Sequence, residues 1–307
     1  MAGSRQEYPD ISRRENNMEN KKELRQQTLS GERSLFQGQD LRIYDTIFAD
    51  GESPLKESRG IELYSSFLRW KYPLWYSRDI LMQDCFLANT ARAGIWYTDH
   101  LRAVSVSIEA PKTFRRCKDL TLEKVTMSDA AETLWSCDGV KMRDVTAKGD
   151  YFAMNSRNME IDSLELFGNY PFDGAENVVI RNSRLLSKDA FWNTNNVTVY
   201  DSYISGEYLG WNSKKLTLIN CTIESLQGLC YAEELVLRNC RFLNTTLAFE
   251  YSTVDAEIVG RVDSVKNPTS GSITADSIGE LILEKDKIDP CKTRIVCREG
   301  GRTCACV

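Results

Sequence analysis

The sequence predicts an all-β chain wound into a parallel β-helix of about twelve coils, and three observations predict it. An apolar–any–apolar triplet returns every 19 to 21 residues, and fixed self-similarity at such a period is the mark of a solenoid. An Asn or Asp follows the first triplet position by four residues in seven of the twelve copies. An almost wholly apolar column stands six residues before the triplets.

Taken in order, the triplets are Leu41/Ile43, Ile61/Leu63, Ile80/Met82, Leu101/Ala103, Leu120/Leu122, Val140/Met142, Met159/Ile161, Val178/Ile180, Val197/Val199, Leu216/Leu218, Leu235/Leu237 and Ala256/Ile258. A 20-residue repeat has no room for two helices, so the helical-hairpin solenoids are excluded. The leucine-rich horseshoe is the rival, but its Leu-x-Leu-x-x-Asn core is not sustained. Alternation of Val, Ile, Leu and Met with Thr, Tyr and Lys suits a strand with one buried face. The corner residues Asp45, Asp84, Asp144, Asn182, Asp201, Asn220 and Asn239 tolerate left-handed backbone. Small residues such as Thr46, Cys85, Ser183, Ser202, Cys221 and Cys240 then tuck inside the bend. At ~4.8 Å per coil, twelve coils span about 50 Å.

The second half of each coil carries Leu55, Leu74, Ile95, Phe114, Leu134, Ala153, Phe172, Phe191, Gly210, Leu229 and Glu250. Ten of these eleven are apolar or Gly, so the column points inward. The residues one step later then point outward, because strand side chains alternate. They are Lys56, Trp75, Trp96, Arg115, Trp135, Met154, Asp173, Trp192, Trp211, Cys230 and Tyr251, and they include five of the six tryptophans. This surface line is the candidate binding site, with Asn193 and Asn212 beside Trp192 and Trp211 to meet hydroxyl groups. Stacking along the axis, a covering loop or second subunit, and carbohydrate contact all fit such a line.

The 307 residues and net charge of −5 fit one solenoid and lack the basic stripe of a nucleic-acid binder. No run reaches the 18 apolar residues of a membrane span. Residues 1–23 read as a polar, flexible leader without the apolar core of a signal peptide, which places the protein in the cytoplasm. The sequons at Asn196, Asn220 and Asn244 are then incidental. Residues 24–290 form the β-helix with end caps, the first beginning at Ser34 to Phe36 and the last formed by strands within 272–284. Residues 291–307 read as an unstructured tail.

Cys85, Cys117, Cys137, Cys221 and Cys240 fall on inward columns and read as buried thiols. Stacked partners such as Cys221 and Cys240 could bridge, but a reducing compartment favours thiols. The tail cysteines Cys291, Cys297, Cys304 and Cys306 lack the spacing of zinc knuckles, and the last four residues only outline a prenylation box. Neither a metal nor a cofactor is expected.

The segments KYPLWY (71–76), ARAGIWYTD (91–99), APKTFRRC (110–117), KGDYFAMN (148–155), SKDAFWN (187–193), SGEYLGWNSK (205–214) and LAFEYSTVD (247–255) resemble the pectin-lyase-like β-helix family known as domain of unknown function 3737. The resemblance covers residues 24 to 290 and implies a right-handed, single-stranded β-helix. It implies no established activity. The hydrogenase label some members carry finds no paired C-x-x-C ligands here.

The function expected is therefore a binding or scaffold solenoid whose aromatic column meets a carbohydrate or a protein surface. The alternative is a polysaccharide lyase or glycoside hydrolase using Arg115, Asp150, Asp173, Lys188 and Glu207. Hydrolysis needs two carboxylates about 5 to 9.5 Å apart. Asp150 and Glu207 stand three coils apart, about 14 Å, and Asp173 lies beyond about 13 Å from Asp150 along the strand. A lyase would need a calcium-binding Asp cluster, which is missing. Lys188 and Glu207, one coil apart, read more simply as a stacked ion pair. The single histidine, His100, reads as a solvated corner.

Overall fold

The computed structural model describes residues 21–299 and the backbone of 302–304. They form a right-handed parallel β-helix of about 15 turns. Eleven triplets lie in direct register, from Leu41 opposite Ile61 to Leu216 and on to Leu235. Each rung runs from its triplet strand through a tight corner into a second, short strand such as Ile47–Phe48 or Phe67–Leu68. In Asp138–Lys148 and Arg157–Phe167 the strand continues through the corner.

The twelve expected coils become about 15 because the end rungs break the apolar pattern. Lys22 pairs below Leu41, so the solenoid begins before the expected Ser34 to Phe36 cap. Gly271 and Thr293 take the first triplet position at the other end. Lys, Gly and Thr at that position hide these rungs from an apolar-triplet search. Strands Ser270–Ala275 and Ser277–Ile282 occupy the expected C-terminal region. Thr293–Cys297 carries the ladder past residue 290 and pairs antiparallel with Arg302–Cys304, where an unstructured tail was expected.

The twelfth triplet is also corrected. Val254, not Ala256, lies opposite Leu235, after a register irregularity beside Leu226. The interval there is a normal 19 residues, from 235 to 254. Phe249 consequently fills the lumen beside Leu229, and Glu250 moves to the outer column.

The corners form as their residues require. Asp45, Asp84, Asp144, Asn182, Asp201, Asn220 and Asn239 all have φ between +48° and +54°, a region where Asx side chains lose least. Their amides then chain along the axis. Asn239 donates to Asn220 at 2.9 Å, and Asn220 to Asp201 at 3.0 Å. A second ladder descends from Asn196 to Asn177, Asn158 and Asp138 at 2.8, 3.2 and 2.7 Å. The three sequon asparagines spend their amide nitrogens in this way, Asn244 on Glu224 at 2.8 Å. After each corner a side chain turns in, small in most coils, and Ser183 and Ser202 each donate to the carbonyl two residues back at 2.6 Å.

The lumen is closed by the triplets and by Phe114, Phe152, Phe172, Phe191 and Phe249, all fully buried. Cys85, Cys117, Cys137, Cys221 and Cys240 are buried free thiols, as their columns required. Cys230, expected outside, is also buried, and burial pushes its thiol up to about 12. Among the tail cysteines, Cys291 is disulfide-bonded; Cys306 lies outside the described residues.

Two outcomes test this packing. Phe191→Ala should cost about 3 to 5 kcal/mol of stability, as for large core truncations, measured by urea denaturation; a loss below about 1 kcal/mol would place the ring outside. Alkylation of the native protein should leave the six buried thiols unlabelled until urea is added, and rapid native labelling of Cys85 or Cys221 would contradict their inward positions.

Candidate functional site

The face between the short second strands and the triplets holds the aromatic residues. It is not a regular strand. Alternate residues there are left-handed, as at Tyr151, Ala153 and Asn155 with φ of +57°, +60° and +54°. Two consecutive residues of a rung, Phe152 and Ala153, therefore face the lumen before Met154 turns out. The outward placement of the next residue follows from this repeated left-handed step rather than from strand alternation.

Trp75, Trp96, Trp135, Trp192 and Trp211 are all half-buried on this outer face. They form two groups, parted by Met154 and Asp173. In the first, Trp75 and Trp96 stack at 5.1 Å with their planes 8° apart. The Arg115 guanidinium then lies 4.6 Å from Trp96 and 4.4 Å from Trp135, a cation held between two indoles. Glu132 pairs with it at 3.0 Å. Tyr72 packs on Trp75 at 4.4 Å, and the Trp96 Nε1–H donates to the Lys112 carbonyl one coil on at 2.8 Å. In this group the ring faces are spent on one another and on Arg115.

The second group is splayed. Trp192 and Trp211 are 6.1 Å apart and tilted by 34°, and Trp211 meets Tyr231 at 4.4 Å and 38°. Tyr231 and Tyr251 follow at 5.4 Å and 49°. Tyr170 and Tyr208 meet Trp192 and Trp211 edge to face at 5.6 and 6.0 Å. Tyr251 stacks in the column of Asn193, Asn212 and Tyr231, one step beyond its expected place. The tryptophan column instead ends in buried Cys230 and Glu250, whose carboxylate pairs with Lys266 at 2.8 Å. Asn212 donates to Asn193, and Asn193 to Asp173, each at 2.8 Å. Among the described residues the Asn212 side-chain oxygen takes no hydrogen bond, so this ladder ends with an open acceptor.

The charged candidates are spread out. Asp150, Asn169, Lys188 and Glu207 form one column: Asp150 accepts from the Asn169 backbone N–H at 2.7 Å, and Asn169 from that of Lys188 at 3.2 Å. Lys188 and Glu207 pair at 3.5 Å. Asp150 and Glu207 thus stand three coils apart, about 14 Å, while Asp173 belongs to the asparagine ladder. His100 lies on an exposed corner between Asp79 at 3.0 Å and Asp119 at 3.2 Å.

Asp189 escaped the sequence reading. It stands in the turn where neighbouring coils carry Tyr170 and Tyr208, but its side chain is only 1% exposed. Its Oδ1 has no hydrogen-bond partner, nor does the nearby Ser187 hydroxyl. Burial pushes the carboxyl above the usual range, against the pull of Lys188 and Tyr170. The only sequence signal was an acid at a turn position that is tyrosine on the two coils before it and the one after. A groove of about 440 Å³ runs beside it, lined by Lys188, Gly206, Glu207, Ser225 and Asn244. A second groove, on the outer face of the triplet sheet, places Lys141 and Arg143 on the rung before Glu160 and Asp162. Its charges alternate rung by rung, with Arg143 paired to Glu123 at 3.3 Å, which is the pattern of a stabilised sheet surface. Among the described residues no group of three His, Cys, Asp or Glu side chains could hold a metal, and no helix is long and apolar enough to cross a membrane.

Several solved structures are similar in outline. One is a tailspike protein mutant of E. coli bacteriophage HK620 in complex with a hexasaccharide, at 9% identity and a TM-score of 0.32, covering 87% of this chain and 66% of that one. Another is the mannuronan C-5 epimerase AlgE4 A-module of Azotobacter vinelandii, at 10% identity and 0.25, covering 89% and 86%. The periplasmic alginate epimerase AlgG matches at 8% and 0.24, covering 80% and 72%. Likenesses this slight carry no argument about what the chain binds. No curated protein matches the sequence. Residues 22–296 match the family described as protein of unknown function, DUF3737, and the chain belongs to that family.

Proposed function

We propose that the protein is a carbohydrate-binding β-solenoid whose contact surface is the splayed aromatic group Trp192, Trp211, Tyr231 and Tyr251. The observation that carries this reading is the tilt of 34° to 49° between successive rings. Rings stacked flat cover each other's faces, whereas tilted rings leave wedges open to the C–H faces of a sugar. The open Asn212 acceptor and the hydroxyls of Tyr208, Tyr231 and Tyr251 border those wedges and suit sugar hydroxyls. The closed stack of Trp75, Trp96, Arg115 and Trp135 is by contrast a stiffening element, as are Asp173 and Asn193 in their ladder.

A second reading, a polysaccharide lyase or glycoside hydrolase, is favoured by one observation: the buried carboxyl of Asp189 beside Tyr170 and the Lys188–Glu207 pair. A carboxyl whose pKa is raised by burial, next to a groove, suits a proton donor.

A glycan array and a panel of uronic-acid polymers separate the two readings. Binding should appear without product release and fall at least tenfold in Trp211→Ala, with Trp75→Ala close to the parent protein. Oligosaccharide release that disappears in Asp189→Asn would favour the enzyme, and silence in both assays would sink the carbohydrate reading.

The raised pKa of Asp189 has its own thermal signature. A carboxyl whose folded pKa is raised stabilises the fold below the ordinary value of about 3.9 and loses that contribution as pH rises through the folded pKa. The Tm of the parent protein should therefore fall relative to Asp189→Asn as pH is raised from about 4 towards neutrality. Parallel Tm curves for the two proteins would show that the side chain is solvated.

A further inference from the structure

Four of the buried thiols come in twos. Cys117 and Cys137 immediately precede Lys118 and Asp138, which are register partners on adjacent rungs. Cys221 and Cys240 precede the partners Thr222 and Arg241 in the same way. All four are at most 1% exposed and free. The thiols donate to backbone carbonyls, Cys117 to Ile95 at 3.1 Å and Cys221 and Cys240 to Ile219 and Leu218 at 3.3 Å each. Residues opposite one another on parallel strands have Cα atoms about 4.8 Å apart, inside the range of about 4.4 to 6.8 Å that a disulfide spans. Cys85 and Cys230 are buried equally well, but face no cysteine: Ser66 and Val106 flank the first, Trp211 and Glu250 the second. Burial holds these two thiols protonated, at about 11 and about 12.

We propose that Cys117/Cys137 and Cys221/Cys240 are two cross-coil dithiol sites that hydrogen peroxide converts into disulfides, each tying one coil to the next. Peroxide is small enough to enter during brief opening of a coil. It transfers one oxygen to the first sulfur, giving a sulfenic acid, and its other oxygen leaves as water. The partner sulfur attacks the sulfenic sulfur, the S–S bond forms, and the hydroxyl leaves as a second water with the partner's proton. Two thiols and one peroxide thus give one disulfide and two waters. Each bridge closes a ring of one coil, and such a ring restricts the unfolded chain.

The test is non-reducing intact-mass and peptide analysis of the full chain after exposure to millimolar hydrogen peroxide. The mass should fall by about 2 Da per bridge. The peptides should show 117–137 and 221–240 links, Cys85 and Cys230 should remain alkylatable after denaturation, and Tm should rise. Cys137→Ser should abolish the first link and leave the second. Pairs that stay thiols, proceed to sulfinic acid or bridge elsewhere would overturn the assignment, as would Cys117 still consumed in a bridge in the Cys137→Ser protein.

Discussion

The constraint on which the rest depends is that nearly every backbone N–H must find its carbonyl on a neighbouring coil. Tyr151 N–H reaches the Asn169 carbonyl at 2.8 Å and Asn155 N–H that of Asp173 at 2.8 Å, although both donors are left-handed. Left-handed backbone costs an ordinary residue about 1 to 2 kcal/mol. It persists here because the alternative is a buried unpaired amide of similar or greater cost. The period of 19 to 21 residues, the corner chemistry and the stacking of like on like all follow from keeping donors and acceptors level. Once backbones are level, identical side chains meet without further design, hence the asparagine ladders and the rows of rings.

Much of this was legible because a solenoid repeats its evidence. One triplet is ambiguous; eleven in register are not. The asparagine and aspartate corners were readable since their left-handed preference is local, and the inward cysteines since the triplet count fixes their side. Legibility failed where repetition stopped. Lys22, Gly271 and Thr293 sit at triplet positions of the end rungs, where nothing apolar marks them. The irregularity beside Leu226 shifted the last copy, so Glu250 and Tyr251 were each assigned to the wrong column.

The aromatic face was read correctly as to side and incompletely as to state. Position along the chain fixes which way Trp75 or Trp192 points, but not how its plane lies. That angle depends on neighbours: Trp75 has Trp96 and Tyr72 to close on, while Trp192 sits above Asp173 and beneath Trp211, where rings cannot register flat. Arg115 could be read as a base from its charge alone, yet two indoles and Glu132 enclose it. Asp189 is the converse case. Its burial belongs to the folded turn, which a periodic count of apolar positions does not read.

The slip in register beside Leu226 is healed within the same coil, for Leu235 and Val254 are again level. Errors of chain length are thus confined to the turn in which they occur. A stack of this kind can be lengthened or shortened by whole coils during descent, with the breakpoints placed wherever a bend can absorb the odd residue. The unit of inheritance is then the single winding rather than the domain, and a surface patch two or three windings long can be moved along the axis without disturbing what lies above or below it.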